Sequence, residues 1–463
     1  MRSQTENEDR LIVAESFAQW LDEHSTALAG TCPNTEPDPA ADSDPDSDHP
    51  DANTDLAGLA YAVRDARVVA VGESSPFIRE FGLLRERVLR FLVERLGFTM
   101  LAYEYGFSEG VGVDGWVRGE GKENELEAYA SSALPVGLTE PLHWLRARNL
   151  RGRDAGYVVD PDTPSSAAVR FGGIDLPAAG GSLRQALRPV AAFLRQVDPE
   201  ALPWLDEALR ISAPLEGESG VTAAAGWSSL SPAEQDALTA SLARLRERIR
   251  SLEPHYVEQA GKRRFDLAKH RVDGACATDF MFRGTVDASA REKYMAESVL
   301  WHLAQSPGTR IVLAAHNAHI QKAPISYSEQ AAALPMGQHL ARALGNGYYA
   351  LGLTSVAGET ARMELDASAR FGFTVTPTLL DAPTAGSIEK AFADVQREMA
   401  EYERPPLLAN LRAVDRAEYD EGPQRIRIQE SYLDVPVLDA FDGMICVPES
   451  SVVVTEDFLS QSG

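Results

Sequence analysis

Five residues of this 463-residue chain have the types and places to move a proton: Glu73, Glu104, Asp175, His316 and His319. Each stands at the end of a short apolar run. VVAV precedes Gly72-Glu73, residues 99–103 precede Glu104, residues 167–174 precede Asp175, and residues 309–315 run straight into HNAHIQK. If those runs are parallel strands, their ends meet at one sheet edge even when they lie far apart in sequence. That edge is where open α/β sheets hold their ligands. A histidine facing carboxylates suits general acid–base chemistry near neutral pH. Arg85 belongs with them, because it interrupts the apolar stripe of the intervening helix and needs a partner there. The plainer alternatives are a structural ion pair beneath the sheet edge and histidines that serve only as hydrogen-bonded core or loop residues.

The elements that must position these groups begin with residues 68–110. An apolar run broken by Gly72, a helix with Phe81, Leu84, Val88, Phe91 and Leu92 on one face, a stop at Gly97 and a second apolar run read as a βαβ unit. Its two strands are expected to be parallel neighbours. Further strands are expected at 309–315, 348–353, 373–377 and 444–447, with a helix following 377 through 398. Between them, residues 182–305 are predominantly helical. Ser182 with Gln185, Ser231 with Glu234 and Ser289 with Glu292 have capping-box spacing, and Pro232 fits the first helical position. This gives an α/β fold with a mostly parallel central sheet flanked by helices and a large helical insertion, placed either as a lid or as a flank of the sheet. The expected organisation is an N-terminal helix within 1–30, an acidic Pro-rich loop at 31–55, core halves at 56–181 and 306–463, and the insertion at 182–305.

Composition narrows the partners. Net charge is −25, from 69 acidic and 44 basic residues, which disfavours nucleic acid and anionic membranes. No run approaches the roughly 18 apolar residues of a membrane span. The opening residues MRSQTENEDR have no secretory-signal pattern, so a cytoplasmic location is expected. Cys32, Cys276 and Cys446 suit neither a disulfide framework nor a zinc motif. The segment CPNTEPDPAADSDPDSDHPDANTD is too polar to offset its own ordering entropy and is expected to be disordered. It lacks the ligand spacing of a metal loop.

Other chemistries fit less well. His316 and His319 are three apart and follow a strand; no HExxH helix or cysteine pair accompanies them, so no metal is expected. GESSP lacks the G-x-S-x-G of a nucleophile elbow, and no Walker A or G-x-G-x-x-G follows a strand, so no cofactor is expected.

Ordered pieces over most of the chain resemble the erythromycin esterase family, also described as succinoglycan-biosynthesis-like. They are ARVVAVGE with REF and RFLVERLGF, YEYG, HWLRARN, GGIDLP, REKYMAESVLWHL, AAHNAHIQK, MGQHLARALGNGYYALGLT and FDG. The resemblance implies an α/β core with helical additions and the opening of a macrolide lactone by water. It assigns Glu73 to the family's GE motif, Arg85 to the helix arginine, Glu104 to the second-strand glutamate, Arg291 to the arginine before MAE, and His316 and His319 to the paired histidines. His316, Glu73, Glu104, Arg85 and Arg291 are then the catalytic set, and His319 and Asp175 the substrate-binding residues. A histidine acts as base, and arginine steadies the oxyanion.

One departure matters. The family motif continues GE-x-x-H, and here that place is Pro76. Three readings follow: a metal-independent hydrolase of a macrolide-like lactone or ester; a biosynthetic enzyme performing elimination, cyclisation or isomerisation on a polyketide-like intermediate; and a non-catalytic binder of such a ligand. The small-molecule partner is common to all three.

Overall fold

The structure is a computed structural model that describes residues 17–29, 54–130, 132–154, 168–283, 288–326, 332–397, 399–400, 404–419, 422–454 and 458. Residues 30–53, which hold most of the acidic Pro-rich segment, and residues 9–16 of the expected first helix lie outside the described residues. The chain forms an α/β fold whose strands are mostly parallel and carry many helices. It divides into two compact units, the first comprising residues 1–98, 310–362 and 376–454, and the second residues 99–309, 363–375 and 455–463.

In the first unit, Val68–Val71 is buried along its whole length. A continuous apolar run of this kind is what a parallel strand covered on both faces requires. It pairs in parallel with Ile311–Ala314 on one edge and Tyr348–Leu365 on the other. Tyr348–Leu365 then pairs in parallel with Gly443–Ser450. Beyond these, Leu407–Ala409 and Ser25–Ala27 add antiparallel strands. Both edges of Val68–Val71 are therefore occupied, so the expected direct pairing with the strand after the crossover helix does not form. Met100–Gly106 pairs with Arg170–Asp175 instead. The helix between them, Arg79–Leu96, buries Phe81, Leu84, Val88, Phe91 and Leu92 as the spacing predicts, and Gly97 closes it at φ 68°.

Several boundaries shift. The N-terminal helix, expected within 1–30, ends at residue 24, because Ser25–Ala27 is drawn into the sheet. The strand expected at 348–353 continues to Leu365 and pairs with Phe373–Leu379. The helix expected to reach 398 is Ile388–Val395.

In the second unit, Met100–Gly106 and Arg170–Asp175 form a parallel pair with an irregularity between Tyr103 and Gly106. The helices Phe107–Val117 and Ser289–Ala304 pack on Arg170–Asp175. The remaining helices of this unit have a core of their own. Leu187 and Leu194 of Arg184–Val197, Leu205 of Leu202–Ser212, Leu242 and Leu245 of Pro232–Ser251 and Phe265 of Lys262–Phe282 are buried together. Of the expected capping boxes, Ser231 with Glu234 forms. Ser182 Oγ accepts the N–H of Arg184, the first residue of its helix, at 3.2 Å, while Ser289 is itself the first residue of Ser289–Ala304. No described helix is long and apolar enough to cross a membrane.

Candidate functional site

The strand ends of the first unit are stitched together by two side chains. Arg85, 9% exposed, donates through Nε to the Gly72 carbonyl at 3.2 Å and through Nη2 to the Ala315 carbonyl at 2.6 Å. Its Nη1 lies 2.8 Å from Glu73 Oε2. The partner that the apolar stripe demanded is thus Glu73, and the same guanidinium ties together the ends of two neighbouring strands. Asn317 is the second stitch. Its backbone N–H donates to the Glu73 carbonyl at 2.8 Å, and its side-chain amide exchanges bonds of 2.8 and 3.3 Å with Leu353. A Cβ on Gly72 would stand 1.9 Å from Asn317 Oδ1, which explains glycine in the GE motif.

His316 and His319 follow the Ile311–Ala314 strand, and their ring centroids are 6.2 Å apart. Both are half-buried. His316 caps the short helix Asn317–Ile320: its Nδ1 accepts the Ala318 N–H at 3.2 Å. That contact puts the proton of the neutral ring on Nε2, which lies 3.3 Å from the Ser74 carbonyl and donates to it. The segment is also anchored at its far end. Lys322 Nζ and Arg412 Nε both reach Asp442 Oδ1, at 2.6 and 2.7 Å, while Asp442 Oδ2 accepts the Ala350 N–H at 2.8 Å. The late FDG therefore serves to hold HNAHIQK in place.

Pro76 lies ahead of the following helix, which begins at Arg79. Proline occupies a turn with Phe77 at φ 65°, a conformation costly for a bulky residue. The turn is pinned on both sides. Ser75 Oγ accepts from Thr360 Oγ1 at 3.0 Å and the Ala361 N–H at 3.3 Å, and the Phe77 carbonyl accepts the Val453 N–H at 2.8 Å.

The second unit holds the other charges. Arg291, on Ser289–Ala304, makes a forked pair with Asp175, Nε to Oδ1 at 2.9 Å and Nη2 to Oδ2 at 2.7 Å. The same Nη2 reaches Glu104 Oε1 at 2.9 Å. Asp175 is 1% exposed and also accepts its neighbour Leu176 N–H at 2.7 Å. The predicted residues therefore fall into two built clusters: Glu73 with Arg85, beside His316 and His319, in one unit, and Glu104, Asp175 and Arg291 in the other. Among the described residues, no group of three or more His, Cys, Asp or Glu side chains could hold a metal ion.

One residue of this region escaped the sequence reading. Glu109, in the first turn of Phe107–Val117, is 2% exposed, and its Oε1 accepts the Ala178 N–H at 2.6 Å. Burial pushes its carboxyl up to about 7, with Asp175 adding to the rise and Arg271 opposing it. Only the GFSEG run carried a signal, an acid in the first turn of a helix beginning right after a strand. The two buried histidines nearby are structural. Ser298 Oγ donates to the Tyr294 carbonyl, so His270 Nε2–H donates to Ser298, while His302 Nε2–H donates to the Gly173 carbonyl. Burial drives their pKa values down to about 3 and about 4, so both rings stay neutral.

The raised Glu109 value has a stability consequence. The folded protein keeps a proton on Glu109 that the unfolded chain releases near 4.5, so this group's contribution is complete below 4.5 and is lost as pH rises through 7. Glu109→Gln is expected to gain stability relative to the parent as pH rises from 4.5 to 7, by about 1.4 kcal/mol per pH unit. Paired urea unfolding curves at pH 5 and pH 8 check this; equal differences at both values refute it.

A family model for erythromycin esterase matches residues 93–450, a span that includes Glu104, Asp175, Arg291, His316 and His319 and leaves Glu73, Pro76 and Arg85 ahead of it. The chain is 34% identical over 419 residues to an Escherichia coli protein described as erythromycin esterase type II, covering 87% of this chain and 94% of the relative. It is 28% identical over 403 residues to an Escherichia coli erythromycin esterase type I, covering 84% and 92%. Among solved structures it matches a mutant of the erythromycin esterase EreC in its open conformation, with TM-score 0.74 and 27% identity over 87% of this chain and 95% of the other.

Proposed function

The chain belongs to the erythromycin esterase family, and on that premise we propose that it hydrolyses the lactone ester of a macrolide-like small molecule. The observation that carries this reading is the paired clustering of its charges: the four carboxylates and arginines to which the resemblance gives a catalytic part, Glu73 with Arg85 and Glu104 with Arg291, sit in built ion pairs. Residues merely inherited as surface charge would have no reason to be fixed in that way.

In this mechanism a water attacks the ester carbonyl while His316 takes its proton. The tetrahedral oxyanion is steadied by guanidinium charge, a part the resemblance gives to arginine. Collapse breaks the acyl C–O bond, and the proton held by His316 passes to the departing ring oxygen, leaving a hydroxy acid. Within its own unit Glu73 keeps Arg85 oriented, and within the other Glu104 keeps Arg291 oriented; the resemblance gives His319 and Asp175 parts in holding the substrate. His316 must release the Ala318 N–H to expose its Nδ1 lone pair, so the base is uncovered by a small movement of the Asn317–Ile320 turn.

Pro76 favours a second reading. Where the resembling motif has a histidine, this chain has a side chain that neither gives nor takes a proton, within a turn pinned by Thr360, Ala361 and Val453. A single remaining base suits elimination or cyclisation of a polyketide-like intermediate as well as hydrolysis.

Incubation with 14- and 16-membered macrolides in ¹⁸O water, read by mass spectrometry, separates the two. One labelled oxygen in a ring-opened acid is the expected result. An untouched macrolide overturns the hydrolytic reading for that substrate class, and dehydrated or cyclised product from an open-chain intermediate supports the second.

A further inference from the structure

We propose that Glu109 is a positioning residue that sets the spacing of Glu104 and Asp175 and thereby the seat of Arg291. The two strands carrying those carboxylates are parallel neighbours, and Gly106 stands in register with Asp175. The pairing is irregular between Tyr103 and Gly106, beside Glu104, so ladder hydrogen bonds alone do not fix where Glu104 points. Glu109 supplies the missing tie. It stands at the head of the helix that continues the Glu104 strand, and it accepts the N–H of Ala178, in the turn that continues the Asp175 strand.

Two features show that the tie is built rather than incidental. Ala178 and Ala179 are held at φ 48° and 49°, a left-handed conformation that L residues adopt at a cost. The Glu109 bond is made at the first of them. On the other side, a Cβ on Gly106 would stand 2.2 Å from Glu109 Oε2, so only glycine leaves room for this carboxyl.

That second oxygen, Oε2, is buried and has no hydrogen-bond partner among the described residues, and the same is true of Arg271 Nε on the helix Lys262–Phe282. The charged groups that act on Glu109 are Asp175 on the neighbouring strand, which disfavours a negative charge there, and Arg271, which favours it. Glu109 in turn adds to the rise that burial gives the phenols of Tyr105, on the strand that leads into its helix, and Tyr294, on Ser289–Ala304. The protonation state of Glu109 is therefore felt at Asp175, which grips Arg291 in a fork. Neither hydrolysis nor the second reading assigned Glu109 any part.

The tie from Glu109 to Ala178, in the turn after the Asp175 strand, rests on geometry, whereas its effect on turnover rests on the proposed function; the test keeps them apart. In the full-length protein labelled with ¹⁵N, the Arg291 Nε–H resonance is identified by its loss in Arg291→Lys. We expect that resonance to shift with pH around 7 in the parent protein and to be flat across pH 6–8 in Glu109→Gln, which retains an acceptor for Ala178 but cannot ionise. A resonance that ignores pH in the parent, or still titrates in Glu109→Gln, overturns the positioning role. In parallel, the kcat/KM profile for erythromycin is expected to show a limb near pH 7 that Glu109→Gln removes. If the resonance behaves as expected and the limb is unchanged, the positioning stands and the assignment of Arg291 to catalysis fails; if no turnover is found, the positioning stands and the hydrolytic reading fails for that substrate.

Discussion

His316→Ala is expected to lower macrolide turnover by about 10²–10⁴-fold, the range that one general base supplies. It should also cost about 1 kcal/mol of stability, because the Ala318 N–H loses its cap. Those two losses have different origins, and the ring geometry allows them to be separated. Nδ1 of His316 is the atom that accepts the Ala318 N–H, at 3.2 Å. An asparagine oxygen can occupy nearly the same place and is among the preferred cap acceptors. His316→Asn should therefore recover the stability lost in His316→Ala while leaving turnover as low. Urea unfolding and steady-state kinetics on the three proteins read both quantities. Recovery of turnover in the asparagine variant would reduce His316 to a cap, and the base would have to be sought elsewhere.

The same comparison bears on Pro76. A site with two histidines could hold one neutral and one charged; with Pro76 in the GESSP turn, both proton-taking and proton-returning steps fall to His316. A base held by a backbone N–H on one side and a backbone carbonyl on the other is well oriented and slow to exchange its tautomer. That arrangement fits a reaction in which the same histidine returns the proton it took. It also explains why the Asn317–Ile320 turn is secured from three directions, through Asn317 to Glu73 and Leu353 and through Lys322 to Asp442.

Much of this was available from the sequence because the strongest signals are local. The apolar stripe of Arg79–Leu96 fixes a helix, its interruption by Arg85 fixes a buried charge, and the apolar run before each acid marks a strand, which ends before Glu73 and at Asp175 but, against expectation, runs through Glu104 to Gly106. Strand order is not local. Which edges of Val68–Val71 are filled depends on segments more than two hundred residues away, and the crossover helix by itself permits its two strands to be separated. Helix starts are placed only to within a residue or two by capping spacing: the helix after Ser182 begins at Arg184, and Ser289 is the first residue of its helix rather than the residue before it. Glu109 stayed hidden because its significance is a contact with Ala178, 69 positions away, and no spacing rule predicts it.

Arg85→Ala is expected to destabilise the protein by about 3–5 kcal/mol, since it leaves the Glu73 carboxylate and two strand-end carbonyls without their shared cation. A structural ion pair and a catalytic one predict the same loss, so the single variant decides nothing between them. The double variant Arg85→Met, Glu73→Leu does. Replacing both members of a buried pair by apolar groups of similar volume is commonly neutral or stabilising. Here it should restore most of the stability while the Gly72 and Ala315 carbonyls lose only their hydrogen bonds, at about 1–3 kcal/mol. If the pair exists to hold the sheet edge, turnover returns with the fold. If Glu73 and Arg85 act on the substrate or on the water, the double variant is folded and inactive, with kcat rather than KM carrying the loss. We expect the second outcome, because Glu73 stands where the Val68–Val71 strand ends and its backbone is bonded to the residue that follows His316.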